Sequence, residues 1–526
     1  MDELHDECGV AALAVLDPAA PSNVWKDANA QHLPWLMPRM LLDLQNRGQL
    51  AAGMTSYHPD RDNILDTYKR IGYVNEAFRM SRPRKYKKIL QDHLGLAAIG
   101  HTRYATCGGD SKRLAQPFER KHASKRKWFA FAFNGNLANL QQLQDRLLDA
   151  EPDYHLTLKN DTEMIMHTLA HAVRGDQKRD LVDVFHELSE TFDGSYNIAY
   201  LNAAGDLLVA RDPLGIRPLS YAFDQRIFAA ASESVALTNL GFKDVLTVEP
   251  GTLVMVRQGK VSVHRFAAKR PTSHCFFEWV YFANVGSSLD DRSVYLTRSA
   301  LGKELAAKEK RTKAFNYDPH DTIVVPVPDT GKAAADAMAF ELRLPSVEGL
   351  IRNRAIGRTF IEGTDRAAKV RQKFTVLREV VAGKKVLLVD DSIVRSTTLV
   401  EMLKYIRETG GAKEIHVRIA CPPIMAPCYY GIDMPKVKDL FAPNYVTGAE
   451  PTAVELQAMA KKIGADSLMY LPLDALSRSI GMPDHRLCRA CLTGHYPTPE
   501  GQRRYALELA SSPVSDATSL HCGAGV

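Results

Sequence analysis

Val386-Leu-Leu-Val-Asp-Asp-Ser-Ile-Val-Arg-Ser-Thr-Thr398 decides how this chain is read. The apolar run Val386–Val389 predicts a buried strand, and Asp390 and Asp391 end it. A hydroxyl-rich loop follows and opens a helix from about Ser396 to Thr409, which Gly410-Gly411 stops. Backbone N–H groups at a helix N-terminus bind phosphate, and Ser396, Thr397 and Thr398 add hydroxyl donors. The two carboxylates suit ribose hydroxyls or Mg²⁺, a hard cation that prefers oxygen. The P-loop spacing Gly-x4-Gly-Lys-Ser/Thr is absent.

Working outward, Thr322–Val327 is another apolar run, followed by an alanine-rich helix over Gly331–Leu342. Lys385–Val389 and Ile415–Ile419 continue the alternation. Strand–helix–strand order predicts an α/β domain with a doubly wound parallel sheet. The texture changes near residues 267–273. Before that point lie short β runs at Leu96–Gly100, Trp128–Phe133, Ser195–Leu201, Asp206–Ala210, Ile227–Ala230 and Thr252–Val256. Asn134-Gly135, Asp193-Gly194 and Ala204-Gly-Asp206 read as the turns between them. Helices are expected at Asp161–Val173 and Leu181–Thr191, which makes the first half a layered α+β domain. The chain from about Thr498 reads as a tail.

At roughly 150 residues per domain, 526 residues suggest two to four domains. Hydrophobic residues at 45% and charged residues at 24% are globular values, which excludes whole-chain disorder and collagen. No apolar run approaches the roughly 20 residues that span a bilayer, and the acidic start Met1–Glu7 lacks a signal peptide's pattern. A cytoplasmic protein without membrane partners is expected. A net charge of +6, and basic runs without interleaved aromatics, argue against nucleic-acid binding. Eight cysteines are too sparse for a disulfide scaffold. Cys488-Arg-Ala-Cys491 alone stays open between zinc, a redox disulfide, an iron–sulfur cluster and accident.

The string Val386–Thr398 resembles the phosphoribosyl pyrophosphate (PRPP) motif of type I phosphoribosyltransferases. It is most similar to the version in the glutamine phosphoribosylpyrophosphate amidotransferase family. The resemblance implies that Asp390, Asp391, Ser392, Arg395, Ser396, Thr397 and Thr398 bind PRPP. It also implies that Thr330, in Pro326-Val-Pro-Asp-Thr-Gly331, joins Asp390 and Asp391 around Mg²⁺. Arg352–Ile361 resembles the family's lid, and seven Lys/Arg against two acids from Arg352 to Lys373 suit a polyanion. Arg358 and Lys373 are the PRPP-binding candidates there.

Cys8-Gly-Val, Arg47-Gly-Gln, Gly100-His-Thr-Arg-Tyr104, Asn134-Gly-Asn136, Asn160-Asp-Thr-Glu163, Gly194-Ser-Tyr, Arg211–Pro218 and Ser232-Glu-Ser234 follow in order. Together they resemble the class II glutamine amidotransferase domain, an N-terminal nucleophile αββα fold. Hydrolysing a carboxamide needs a nucleophile and a base. The resemblance assigns both to Cys8, through its thiol and its freed α-amine, so Met1–Glu7 would be a removed propeptide. Asn134 and Gly135 would form the oxyanion hole. Arg103, Asp161 and Arg47 would bind glutamine: Arg103 its carboxylate, Asp161 its ammonium. Taken alone, Asn134-Gly135 is a hairpin turn and Asp161 a helix N-cap.

The contexts of Cys275, Cys428, Cys488 and Cys491 resemble the family's iron–sulfur branch, which implies a 4Fe–4S cluster; four thiolates also suit zinc. The chain departs from the family pattern at Leu50, Asn284–Gly286, Thr375 and Ser396. The resemblance divides the chain into a propeptide (1–7), an amidotransferase domain (8–268), a phosphoribosyltransferase domain with a cluster-binding segment (269–497) and a tail (498–526). It implies synthesis of 5-phosphoribosylamine from PRPP and glutamine, the first step of de novo purine biosynthesis. A homotetramer and feedback inhibition by purine nucleotides are implied by the family alone. The rival readings are a diverged paralogue with another transfer reaction and a non-catalytic PRPP-sensing regulator.

Overall fold

The computed structural model describes residues 8–104, 112–151, 153–175, 179–353, 366–434 and 436–511. Met1–Glu7, Cys107, Arg358 and Cys522 lie outside them.

Strand Gly9–Val15 alternates its faces, and the two faces explain the layers. Val10, Ala12 and Ala14 pack with Ala130, Ala132 and Ala199 of a second sheet. Ala11 and Leu13 pack against Met37, Leu41 and Ala236, which lie on helices Met37–Asp43 and Ser234–Thr238. On the second sheet, Phe129, Phe131 and Phe133 turn the other way, onto Ile165, Leu169, Val184 and Leu188. Those four belong to helices Asp161–Ala172 and Leu181–Thr191. The result is helix, sheet, sheet, helix, with alanines interleaved among Ile99, Leu201, Val209 and Phe228 between the sheets.

Among the described residues the first sheet has seven antiparallel strands. Its order is Leu246–Thr247, Ser220–Phe223, Ile227–Ala231, Gly9–Val15, Ala97–Arg103, Ala51–Tyr57 and Leu65–Ile71. The second has six: Lys260–Arg265, Thr252–Arg257, Leu207–Arg211, Gly194–Asn202, Phe129–Leu137 and Phe118–Arg120. Asn134-Gly135 is therefore not a turn. The strand runs through it to Leu137, pairing Asn134 with Asn197 and Gly135 with Tyr196. Gly135 has φ +152°, and a Cβ there would collide with the Ser195 carbonyl, so the glycine serves a close strand approach.

The second half holds a parallel sheet ordered Thr322–Pro326, Lys385–Asp390, Glu414–Ile419 and Ser467–Tyr470. Val386–Val389 are fully buried, as a continuous apolar strand in a parallel sheet should be. The fourth strand escaped the sequence reading because it is only four residues long. Pro499–Ser511, expected within the tail, is a helix with Glu500 and Gly501 buried. It docks through polar contacts: Gln142 donates to Glu500 at 2.7 Å, and Arg504 donates to the Ala138 carbonyl at 3.3 Å. Farther back, His274–Cys275 pairs in parallel with Leu487–Cys488, tying the C-terminal segment to the junction between the halves.

Helix Val294–Thr312 carries Glu309, which meets Arg418 of the third parallel strand at 2.5 Å with both side chains fully buried. Removing one partner strands a buried charge. Glu309→Ala should cost about 3–5 kcal/mol in chemical denaturation, whereas a surface pair such as Lys332–Asp336 should cost under about 1 kcal/mol.

Candidate functional site

Cys8 immediately precedes the strand Gly9–Val15, and its thiol lies 4.0 Å from the Tyr104 carbonyl oxygen. Arg103 ends the neighbouring strand and is buried. Ser232 binds the two halves of this site together. Its hydroxyl accepts from the Val10 N–H at 3.0 Å and from Asn134 Nδ2 at 3.4 Å. Asn134 is buried, and Asn136 and Leu137 continue its strand. Asp161 is the first residue of its helix. The N-cap is Asn160, whose side chain accepts from the Glu163 N–H. Freed from capping, Asp161 accepts from the Leu137 N–H at 3.1 Å. Burial pushes its carboxyl up to about 7, against that hydrogen bond and Arg504.

The phosphate motif forms as its sequence requires. Ser396 caps helix Thr397–Glu408 with φ −84°, a conformation open to any residue, so serine is accommodated there without strain. Thr397 Oγ1 is buried without a partner among the described residues. Asp391 accepts from Thr330 Oγ1 at 2.8 Å and from Ser392 Oγ at 2.9 Å. Burial, then the neighbouring Asp391 charge, pushes Asp390 well above the usual carboxylate range. Burial also raises Asp391, against hydrogen bonds from Thr330 and Ser392. Lys373 faces this pair. Burial lowers its ammonium to about 8, and the two carboxylates oppose the shift. Arg395 lies 3.9 Å from Asp433, and Arg352 pairs with Asp329 at 3.2 Å.

One cavity of about 440 Å³ joins the halves. Asn46, Arg47, Gln49 and Tyr104 line it from the first half, and Thr330, Lys373, Asp390, Asp391, Ser392, Arg395 and Thr398 from the second. Arg47 is buried at this junction by two glutamates. Its Nε meets Glu233 at 2.6 Å and its Nη2 meets Glu278 at 2.6 Å. These carboxylates hold its pKa above the ordinary guanidinium value despite burial. Arg217 reaches the same Glu278 at 3.3 Å. Asn284 also lines the cavity, and its N–H donates to Glu233 at 2.7 Å. Glu233, Glu278 and Arg217 went unassigned in the sequence reading, although Glu233 and Arg217 stand inside quoted motifs.

Cys275, Cys428, Cys488 and Cys491 line a second, far tighter cavity, of about 10 Å³. Burial pushes the Cys275 thiol up, and the Cys488 thiol up to about 12. Among the described residues, no group of three or more His, Cys, Asp or Glu is gathered around a single-ion position. No described helix is long and apolar enough to cross a membrane. Cys421 is buried outside both constellations.

Residues 101–239 match the glutamine amidotransferase domain family, and residues 296–434 match the phosphoribosyl transferase domain family. The chain is 35% identical over 499 residues to an amidophosphoribosyltransferase of Methanothermobacter thermautotrophicus, covering 94% of this chain and 96% of that one. It is 34% identical to the chloroplastic amidophosphoribosyltransferase 3 of Arabidopsis thaliana, covering 96% and 86%. A solved structure described as the allosteric regulatory enzyme of purine biosynthesis superposes with a TM-score of 0.80 at 31% identity, covering 96% and 99%. The glutamine PRPP amidotransferase of B. subtilis, solved with ADP and GMP, superposes at 0.76 with 31% identity, covering 94% and 98%.

Arg47→Ala would leave Glu233 and Glu278 buried beside a lost cation. A loss of about 3–5 kcal/mol is expected in denaturant unfolding, with partial recovery in Arg47→Lys, which keeps the charge but not the fork.

Proposed function

We propose residue roles from the premise that the chain belongs to the amidophosphoribosyltransferase family. Proteins of this family make 5-phosphoribosylamine from PRPP and glutamine in purine biosynthesis, and this chain does so with one domain for each substrate. The observation that carries the assignment is the single cavity. Its first-half wall includes Tyr104, whose carbonyl neighbours the Cys8 thiol, and its far wall is the Asp390–Thr398 loop.

In this reading the Cys8 thiol attacks the glutamine carboxamide and the α-amine of Cys8, freed by loss of Met1–Glu7, moves the proton. Asn134 Nδ2 and the Gly135 N–H stabilise the oxyanion. Arg103 takes the substrate carboxylate and Asp161 its ammonium; Arg47 acts from the cavity wall. Ammonia crosses the cavity unprotonated and attacks C1 of PRPP as pyrophosphate leaves. Ser392 and Ser396–Thr398 hold the 5-phosphate side, where the orphaned Thr397 hydroxyl lacks a partner. Lys373, Arg395 and, beyond the described residues, Arg358 offset the polyanion's charge.

Thr330, Asp390 and Asp391 fit Mg²⁺: two buried carboxylates with raised pKa values favour a divalent cation. Bound there, the ion would offset charge on departing pyrophosphate. Cys275, Cys428, Cys488 and Cys491 line one cavity, which supports four thiolates sharing a 4Fe–4S cluster; zinc is the other group that four thiolates suit. Iron and acid-labile sulfide in stoichiometric amounts, with little zinc, would bear this out. We also propose a cytoplasmic homotetramer inhibited by purine nucleotides; a relative was solved with ADP and GMP.

Incubating the protein with PRPP, Mg²⁺ and glutamine tests the assignment: glutamine-dependent pyrophosphate release is expected, and its absence sinks the reading. Intact mass tests processing, since a mature active chain that retains Met1–Glu7 contradicts the Cys8 mechanism. The pH profile tests Asp161. Only its ionised form attracts an ammonium, and in the free protein it titrates near 7. kcat/KM for glutamine should therefore fall as pH drops below about 7, approaching tenfold per unit. Asp161→Asn should raise KM by on the order of 10- to 100-fold and remove that limb of the profile.

A further inference from the structure

The Cys428–Gly431 loop has two sides. On one side Cys428 lines the four-cysteine cavity, and its sulfur accepts from the Tyr430 N–H at 3.4 Å. On the other, the loop's backbone lies along the strand that holds Asn134 and Gly135. Asn136 Nδ2 donates to the Tyr429 carbonyl at 2.8 Å. The Ser195 hydroxyl donates to the Tyr430 carbonyl at 2.8 Å and accepts from the Asn136 N–H at 3.2 Å. Arg217 Nη2 donates to the same Tyr430 carbonyl at 2.7 Å. Gly431 has φ +104°. A Cβ there would lie 2.7 Å from Arg217 Nη2, 3.5 Å from Asn136 Cβ and 3.6 Å from the Gly135 carbonyl carbon.

Gly135 is thus gripped from both directions. Its own strand neighbour Asn136 is tied to the loop by its side chain and, through Ser195, by its backbone. Nothing in glutamine chemistry requires these contacts, because neither Ser195 nor Asn136 is needed as a donor to the oxyanion. Their effect is geometric. An oxyanion hole works only when its donors are already aimed, and a displacement of a fraction of an ångström is costly.

We propose that Ser195 and Asn136 are positioning residues for the glutaminase half-reaction, fixing the Asn134–Gly135 oxyanion hole against the Cys428–Gly431 loop of the other half. The proposal rests on the assignment of Asn134 and Gly135 as that hole. It makes the cysteine-bearing loop part of the glutamine site's scaffold, without any cysteine touching glutamine.

The test compares Ser195→Ala, Asn136→Ala and Asn134→Ala in the full processed protein. For the two positioning variants, kcat with glutamine should fall about 10- to 100-fold, below the roughly 100- to 1,000-fold expected for Asn134→Ala. Their KM for glutamine should stay within about threefold, because the groups that bind the amino acid's charges are untouched. PRPP turnover with added ammonium, iodoacetamide alkylation of Cys8 and iron content should each stay within about twofold, as the PRPP site, nucleophile and cysteine cavity are not altered. Asn136→Ala removes only a half-buried amide, so it keeps the test open if Ser195→Ala folds poorly. An unchanged kcat in both variants, or an equal fall in the ammonium-driven rate, overturns the proposal. Full activity in Asn134→Ala would instead overturn the oxyanion assignment on which it stands.

Discussion

Arg47 brings a positive charge into a place without water, and both halves of the protein arrange themselves around it. Glu233 comes from the first half's helical turn at 234–238, and Glu278 from the segment entering the second half. Glu233 also accepts from Asn46, the Asn284 N–H and Ser287. Arg217 brings a second guanidinium to Glu278. Two arginines and two glutamates balance locally. Desolvating four charges is expensive, and the attraction offsets that cost only when every donor and acceptor is placed. The network therefore tolerates one relative placement of the halves and few others. Arg47 is also part of the wall of the cavity shared by the two halves.

The interior of the first half supports the same placement by different means. Alanines at 12, 14, 130, 132 and 199 interleave with Ile99, Leu201, Val209 and Phe228 between its sheets, while aromatic and long aliphatic residues fill the layers beneath the helices. Cys8 and Asn134 belong to different sheets, and Ser232 reaches both strands with one hydroxyl. Substituting larger residues for these alanines would separate Cys8 from Asn134, the proposed nucleophile and oxyanion donor, before changing either one.

What the sequence disclosed follows from how local the cause was. Val386–Thr398 was legible because strand, carboxylates, loop and helix start are contiguous, and each step is set by its own residues. Thr330 could be joined to that loop only through the family resemblance; the structure then placed its hydroxyl on Asp391. Asn134-Gly135 misled because its residues are those of a turn. The close approach of the Ser195 carbonyl, distant in sequence, decides that it is a strand. Pro499–Ser511 read as a tail because it docks with charges and a cation–π contact from Arg504 to Tyr429, and so shows little apolar pattern. Glu233 sat inside a quoted motif and Glu278 three residues after Cys275, yet sequence does not reveal which charged residues are buried. The Arg47 ion pairs are hidden from the sequence for the same reason.

Two reaction centres with opposite substrates share one electrostatic device. Asp161 is held near 7 in the free protein, and Asp390 and Asp391 are pushed higher than ordinary carboxylates, in each case first by burial. A carboxylate so placed gains most when a cation arrives, because the incoming charge offsets a desolvation cost already incurred in folding. In the proposed roles, the cation at Asp161 would be an amino acid's ammonium, and at Asp390 and Asp391 a metal that accompanies a polyanion. Lys373, held near 8 by the same burial, is the internal substitute that keeps the pair from standing wholly uncompensated beforehand. A cation bound at the acidic pair, as proposed, would compete with Lys373 for the same carboxylates.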